Sequence, residues 1–328
     1  MLGRIYFNTV FGALGGLLGW MLFSIFTDKT TLSGGVAVQN LLDGALVGGG
    51  IGYLVVSVEA IRDRSWVRFV RLASYGVILG ALGGALGMLL GEQVNYRLVS
   101  GIGGGVGALR FVASALTRGL GFLFLGAAVG ASEGIAARSL GKFSYGTLGG
   151  TLGGFLGGTL FGFIYLGTLA LEHPGERSAG TLAFAGAAGY VVMGACIGAL
   201  SALVTGVFQP ASLKVLRGWQ EGREYPLDKD ATSVGRDEHD DVALFRDMRV
   251  AKRHVFIQRK GERYVFVNNG AAEQDTLVND VPTSQPVELH DGDRIQLGNV
   301  LLRFQMRAAQ NRPRPGRSAA PASTSRPR

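Results

Sequence analysis

The residues that could hold a metal, move a proton or attack a substrate are few in this chain and badly spaced. His173, His239, His254 and His290 are scattered, and none has a second His or Cys at ligand spacing. Cys196 is the only cysteine, which excludes an intramolecular disulfide framework and a multi-Cys zinc site. It lies among small residues and reads as a small buried hydrophobe. The acidic run Asp237-Glu238-His239-Asp240-Asp241 lacks the Asp-x-Asp-x-Asp-Gly order of a calcium loop and reads as a solvated loop. Runs such as Gly48-Gly-Gly-Ile-Gly52 imitate phosphate loops, but they follow no strand and carry no Gly-Lys-Ser/Thr. Ionisable residues inside apolar segments are functional candidates. Here Asp43, Glu59, Glu92 and Glu133 fall near segment ends, where they can reach water. No catalytic residue, metal site or cofactor follows from this set. The expectation is a binding protein and not an enzyme.

The elements that carry these residues are of two kinds. Glycine is 53 of 328 residues, against a usual ~7%. Hydrophobic residues make 47% and charged ones 17%, where ~25% is usual. That excludes a disordered chain and argues against an ordinary soluble enzyme. Residues 1–208 hold 12 Lys/Arg and 8 Asp/Glu, whereas residues 209–328 hold 20 and 16 in little more than half the length. The step places a domain boundary near Pro210. A second step follows: residues 307–328 hold six Arg and no acid, among Pro, Ser and Ala. Three parts result: 1–208, apolar; 209–306, mixed; and 307–328, a basic tail read as disordered. The net charge of +8 comes from loops and tail, and no groove-reading motif appears, so no nucleic acid is expected.

A bilayer core of ~30 Å needs about 20 apolar residues per helix. Residues 5–27, 41–58, 72–91, 115–136, 145–171 and 181–208 qualify, giving six spans. Residues 93–109 contain a Gly-rich run that reads as spanning, re-entrant or interfacial. Arg62, Arg64, Arg68 and Arg71 fall in the stretch 59–71, and Arg138 and Lys142 in 137–143, both read as loops. The alternate loops are poorer in Lys and Arg, so the positive-inside rule puts both termini in the cytoplasm, with a bacterial cytoplasmic membrane as the setting. A repeat is visible. Gly12, Gly15, Gly16 and Gly19 recur as Gly80, Gly83, Gly84 and Gly87, and again as Gly150, Gly153, Gly154 and Gly157. Between them lies a second motif: Gly48–Gly52, Gly126–Gly130 and Gly194–Gly198. Two spans per repeat make three hairpins. Positions i, i+3, i+4 and i+7 share a helix face, so each glycine set lets a neighbouring backbone approach closely. The expected packing pairs odd helices with even ones. Beyond a compact bundle, the small residues allow a pore, or pairing with a second copy of the chain.

From Ala211 the pattern alternates with period two, in short runs such as HVFIQR, RYVFV and RIQLG separated by Gly, Asp and Asn turns. Many short strands imply a β-sandwich. The residues Val234-Gly235-Arg236, Ala251-Lys252-Arg253-His254, Asp275-Thr276-Leu-Val278-Asn279 and Leu289-His-Asp-Gly292-Asp293-Arg-Ile295-Gln-Leu297-Gly298 resemble the forkhead-associated (FHA) family over about 212–306. The resemblance implies an all-β sandwich that binds phosphothreonine peptides through loops at one end. It implies Arg236 as the phosphate guanidinium, with Arg249 and Lys252 as further cations. It assigns structural roles to Gly235, His254, Gly292, Asp293 and Gly298. Two positions depart from the family: the phosphate-binding Ser is Ala251, and the Asn-Gly before Thr276 becomes Gln274-Asp275. Asn269-Gly270 is the other candidate for that Asn-Gly. Ala251, Gln274 and Thr276 stay in the expected peptide-binding set.

The fold class expected is thus a transmembrane α-helical bundle of six spans in three hairpins, followed by an FHA-like sandwich. The expected function is a membrane-anchored adaptor in signalling. Its partners would be a protein, among them a Ser/Thr-phosphorylated protein or a kinase, and membrane lipid. The rival readings are a channel or transporter subunit regulated by the sandwich, and a structural anchor whose sandwich docks without phosphate.

Overall fold

The apolar segments form six helices in the computed structural model, which describes residues 2–27, 35–63, 65–100, 107–171 and 179–306. They are α1 (Leu2–Thr27), α2 (Gly35–Asp63), α3 (Trp66–Ser100), α4 (Gly107–Ala137), α5 (Leu140–Leu171) and α6 (Ala179–Phe208). All six are long and apolar enough to cross a membrane. Residues 101–106 and the tail 307–328 lie outside the described residues. The chain divides into two units, Met1–Gln209 and Pro210–Arg328.

The stretches read as basic loops are mostly helix. α2 continues to Asp63 and α3 begins at Trp66; α4 ends at Ala137 and α5 begins at Leu140. Serine caps set these starts. Ser65 Oγ accepts the Arg68 N–H at 3.3 Å, and Ser139 Oγ accepts the Lys142 N–H at 3.2 Å. Residues 93–100, left open by the hydropathy reading, continue α3.

Each helix packs on its neighbours in sequence, and α1 closes on α6. The glycines fill the seams, and each odd helix divides its four between two partners. A Cβ on Gly12 or Gly16 would overlap the carbonyl oxygen of Gly194 or Tyr190 on α6. On Gly15 it would meet the Gly50 oxygen of α2 at 2.7 Å, and Gly19 abuts Val47 of the same helix. Gly80 and Gly84 press on Gly48 and Gly44 of α2, while Gly83 and Gly87 press on Ala128 and Gly121 of α4. Gly150 and Gly154 press on Gly126 and Phe122 of α4, while Gly153 and Gly157 press on Ile197 and Met193 of α6. So i and i+4 serve one neighbour, and i+3 and i+7 the other.

The even helices also meet one another. Val47, Leu125 and Met193 each precede the second glycine motif, and Ile51, Val129 and Ile197 each occupy its fourth position. All six are fully buried and belong to one core cluster. The small residues therefore face seams between helices, and large apolar side chains fill the middle. The outer surface is apolar as well: Ile78, Leu82, Leu86 and Leu90 on α3, and Leu148, Leu152, Leu156 and Leu160 on α5, are exposed one turn apart. Threonines inside the helices donate to the carbonyl four residues back, as Thr151 does to Thr147 at 2.7 Å and Thr205 to Ser201 at 2.7 Å. Charges gather at the ends. Arg4 Nη2 lies 2.9 Å from Glu59 and 3.6 Å from Glu133, and Lys142 Nζ lies 3.1 and 3.2 Å from the same two carboxylates. One charge network thus joins α1, α2, α4 and α5. Asp43 departs from the expectation of reaching water: it is buried about two turns into α2 and accepts from the Tyr190 hydroxyl.

The second unit is a two-sheet sandwich. Its strands are β1 (Ala211–Arg217), β2 (Glu224–Pro226), β3 (Ala231–Gly235), β4 (Val242–Ala243), β5 (Val255–Lys260), β6 (Arg263–Asn268), β7 (Thr276–Val278), β8 (Val281–Pro282), β9 (Val287–Leu289), β10 (Arg294–Leu297) and β11 (Val300–Met306). One sheet runs β2-β1-β11-β10-β7-β8 and the other β4-β3-β5-β6-β9. Alternate residues point inward, as in β1, where Leu213 and Val215 are buried and Lys214 is exposed. Tyr264, Phe266 and Phe304 are the largest fully buried side chains between the sheets.

Gly84→Ala or Gly150→Ala should destabilise the bundle by about 1–3 kcal/mol, because the helix backbones must part to admit a methyl group. Gly167→Ala, where a Cβ meets nothing within 4 Å, should leave stability unchanged or raise it. Thermal unfolding of the detergent-solubilised chain checks the contrast.

Candidate functional site

Four loops meet at one end of the sandwich, and hydrogen bonds between their backbones hold them. The segment after β3 lies along the segment before β5. Arg236 N–H donates to the Ala251 carbonyl at 3.0 Å, Asp237 N–H to the Lys252 carbonyl at 3.0 Å, and His254 N–H to the Val234 carbonyl at 2.9 Å. Gly235 is required there, because a Cβ would strike the Lys252 oxygen and the Asp240 carboxylate. The segment after β6 joins from the other side. Asn269 N–H donates to the His254 carbonyl at 3.0 Å, and its Nδ2 to the Arg253 carbonyl at 3.0 Å.

His254 pins the inside of this construction. Its ring is fully buried. Nδ1 accepts the Ala251 N–H at 3.0 Å, and Nε2 lies 2.8 Å from Thr276 Oγ1. Thr276 Oγ1 donates to the Ala272 carbonyl at 2.9 Å, so the proton between His254 and Thr276 sits on Nε2. Burial holds the imidazole below its ordinary value of 6.5, against the opposing fields of Asp275 and Asp247. Thr276, read from the sequence as a peptide contact, spends its hydroxyl here and is fully buried. Gln274 lies on an exposed 3₁₀ turn, Glu273–Asp275.

The outer surface of the same loops is cationic. Arg249, Lys252 and Arg253 are exposed, and Arg236 is half-buried. Arg253 Nε pairs with the buried Asp240 at 3.3 Å. Among the described residues, no carboxylate forms an ion pair with Arg236, Arg249 or Lys252. The Arg236 guanidinium instead touches the sulfur of Met248, which is itself 80% exposed and unbranched. Ala251 is exposed between these cations and offers no hydroxyl. Guanidinium and ammonium donors exposed on loops tied together by backbone hydrogen bonds are suited to a multiply charged oxyanion from solvent.

The remaining motif residues brace the turns. Asp293 Oδ2 accepts the His290 N–H at 2.7 Å, and its Oδ1 accepts Asn279 Nδ2 at 3.0 Å. Gly292 and Gly298 have φ of +87° and +57°, the left-handed region that glycine occupies without strain. A Cβ on Gly298 would also lie 2.8 Å from the Asp247 carboxylate and the Arg249 Cβ.

Sequence reasoning missed three features. Asp247 ties two loops, accepting the Arg249 N–H at 3.1 Å and the Asn299 N–H at 2.6 Å. Arg246 stacks over the Trp219 ring, 3.6 Å from its centroid. The acidic run is solvated only in part: Glu238 and His239 are exposed, but Asp240 is buried, where desolvation raises its carboxyl above the ordinary value. Asp241 in turn pairs with Lys229 at 2.6 Å and accepts the Ser233 N–H at 3.0 Å. Asx turns and long-range pairs leave no periodic trace, so no sequence pattern marked them.

Known proteins resemble this unit. The family described as "Inner membrane component of T3SS, cytoplasmic domain" matches residues 214–308. An oxoglutarate dehydrogenase inhibitor of Corynebacterium jeikeium is 37% identical over 94 residues, 29% of this chain and 63% of that protein. This chain therefore spans less than two thirds of that relative. An oxoglutarate dehydrogenase inhibitor of Corynebacterium diphtheriae is 34% identical over 110 residues, 33% of this chain and 75% of that protein. An FHA domain solved in a study of phosphothreonine-dependent FHA interactions is 28% identical, covers 30% of this chain and 97% of that one, and has a TM-score of 0.27.

The buried imidazole sets a pH dependence. Its folded value lies below the unfolded one, so the unfolded unit binds more protons near pH 6. His254 therefore leaves stability intact above about pH 6.5 and erodes it as pH falls toward the folded value. Amide-exchange protection of β5 and β7, corrected for intrinsic rates, should drop between pH 7.5 and 5.5 in the full chain. In His254→Gln that drop should be smaller, from a lower starting protection.

Proposed function

Because this chain belongs to the FHA family through its C-terminal unit, we propose that it is a membrane-anchored adaptor that recruits threonine-phosphorylated proteins. The observation that carries the reading is the cationic loop surface over the His254 brace, with Arg236 at its centre. A phosphothreonine brings about −1.5 to −2 charges and three acceptor oxygens. Arg236 can meet two oxygens with its fork, and Arg249 and Lys252 supply further charge. Asn269, held beside Arg253, stands where a side-chain amide can clamp a peptide backbone. Met248 must swing off Arg236 when phosphate arrives, and an exposed unbranched side chain can do so.

Anchoring rests on the helices. Rows of exposed Leu and Ile on α3 and α5 need an apolar solvent, since soluble surfaces rarely hold such continuous apolar area. Arg4, Arg62, Arg68 and Lys142 lie at one end of the bundle, and α6 ends on that side. The positive-inside rule supports reading this end as cytoplasmic, and with it both termini and the sandwich that follows α6. The family match to a cytoplasmic domain of an inner-membrane component agrees with this placement. Tethering raises the effective concentration of a bound partner at the membrane.

The test uses the full chain in nanodiscs and matched threonine and phosphothreonine peptide libraries. Phosphopeptides should bind and their unphosphorylated twins should not. Arg236→Ala should weaken binding by about 1.5–3 kcal/mol, the range for a hydrogen bond to a charged group. Ala251→Ser adds a hydroxyl beside the cations and should strengthen it by about 1 kcal/mol. Partners captured equally before and after phosphatase, and equally by Arg236→Ala, would establish phosphate-independent docking instead.

A further inference from the structure

The bundle contains a cavity of about 140 Å³ between α2, α3 and α4, at the end opposite the Arg4–Glu59–Glu133–Lys142 network. A water takes about 30 Å³ in the liquid, so this space suits a small solute. Its wall is charged on two sides. Arg118 of α4 faces it, and so do Glu92 and Asn95 of α3 and Asn40 of α2. Met88 and Phe122 supply apolar wall.

Arg118 lies inside a segment read as a span. Its guanidinium lies over the rings of Phe161 and Tyr165, 5.8 and 5.4 Å from their centroids. Its Nε is buried and has no hydrogen-bond partner among the described residues. A buried unsatisfied donor on a charged group is costly, and the buried Asp43 carboxylate, though within the electrostatic reach of Arg118, supplies no hydrogen bond to that Nε. Glu92 accepts from Asn40 Nδ2, which orients its carboxylate and leaves acceptor capacity on it. Asn95 Oδ1 accepts from Thr117 Oγ1 at 3.1 Å, which fixes that amide too.

A lone anion in this cavity would gain Arg118 and be repelled by Glu92. A lone cation would meet the reverse. A molecule with both charges a few ångströms apart satisfies both walls. We infer that the cavity binds a small zwitterion of the α-amino-acid class, its carboxylate on Arg118 and its ammonium on Glu92. Met88 and Phe122 border room for a short side chain, and an indole side chain would take up far more of the space. The inference depends neither on phosphate recognition by the sandwich nor on the orientation of the bundle in the membrane.

Isothermal titration of the full chain in nanodiscs tests it, with glycine, L-alanine and L-serine as probes. Acetate, methylamine and L-tryptophan are the controls. At least one of the three small amino acids should bind saturably. Acetate and methylamine should bind at least about 10-fold more weakly, and tryptophan not at all. Arg118→Gln and Glu92→Gln should each weaken that binding by at least about 10-fold. Lack of saturable binding up to about 10 mM, equal binding of acetate or methylamine, or wild-type affinity in either variant would overturn the inference. If a variant does not purify as a monodisperse species, the ligand series on the unmodified chain still decides.

Discussion

Backbone against backbone is the contact on which the helical unit depends. An odd helix must touch two even helices at once, and the even helices must touch one another. Three equal cylinders in mutual contact subtend an angle of about 60° at each. On an α-helix, the rows i, i+4 and i+3, i+7 lie about 60° apart, from a rotation of about 100° per residue. The four glycines of each repeat are therefore the two flat sides of one corner. Placing a side chain at any of them would open the angle and separate the even helices. The six apolar side chains between those helices would then lose their packing. The glycine pattern and the filled middle are one constraint seen from two sides.

That geometry was half visible in the sequence. The repeat, the count of spans and the pairing of odd with even helices follow from hydropathy and the glycine spacing. The division of each glycine set between two neighbours does not, because spacing marks a face and not who sits on it. Helix ends were misread where charged residues stood: Arg62, Arg68 and Lys142 look like loop residues, but Arg62 continues α2, and Ser65 and Ser139 cap the helices that carry Arg68 and Lys142. Asp43 was discounted for a related reason. Hydropathy averages over a window, so an isolated charge near a predicted end passes as exposed. Burial there is decided by a residue far along the chain, Tyr190 for Asp43.

In the sandwich, the motif residues were legible and their division of labour was not. His254 and Thr276 belong to one hydrogen-bonded chain, Ala251 N–H to His254 to Thr276 to the Ala272 carbonyl. That chain faces inward, so Thr276 braces the loop and the cations stand outside it. The sequence left two candidates for the clamping amide. Asn269 is the one bonded beside Arg253, while Gln274 sits on the following turn. Loop length sets these two positions, and an ungapped comparison of motifs has no measure of loop length.

The bundle also limits how it can respond to anything bound within it. Seams with no space for a methyl group hold no rotamers to exchange, so a local change cannot be absorbed by repacking side chains. One helix can move against another only by sliding or turning as a body along the glycine rows. The cavity between α2, α3 and α4 lies where two such rows run out, beyond Gly44 and Gly87. At the other end, the same helices α2 and α4 carry Glu59 and Glu133, which share Arg4 and Lys142. A rigid shift of either helix must change two of those four distances. Ion pairs of about 3 Å are steep functions of distance when water is scarce. The two polar ends of the bundle are thus joined by stiff rods, and the charge network is where a small displacement would carry the largest energy.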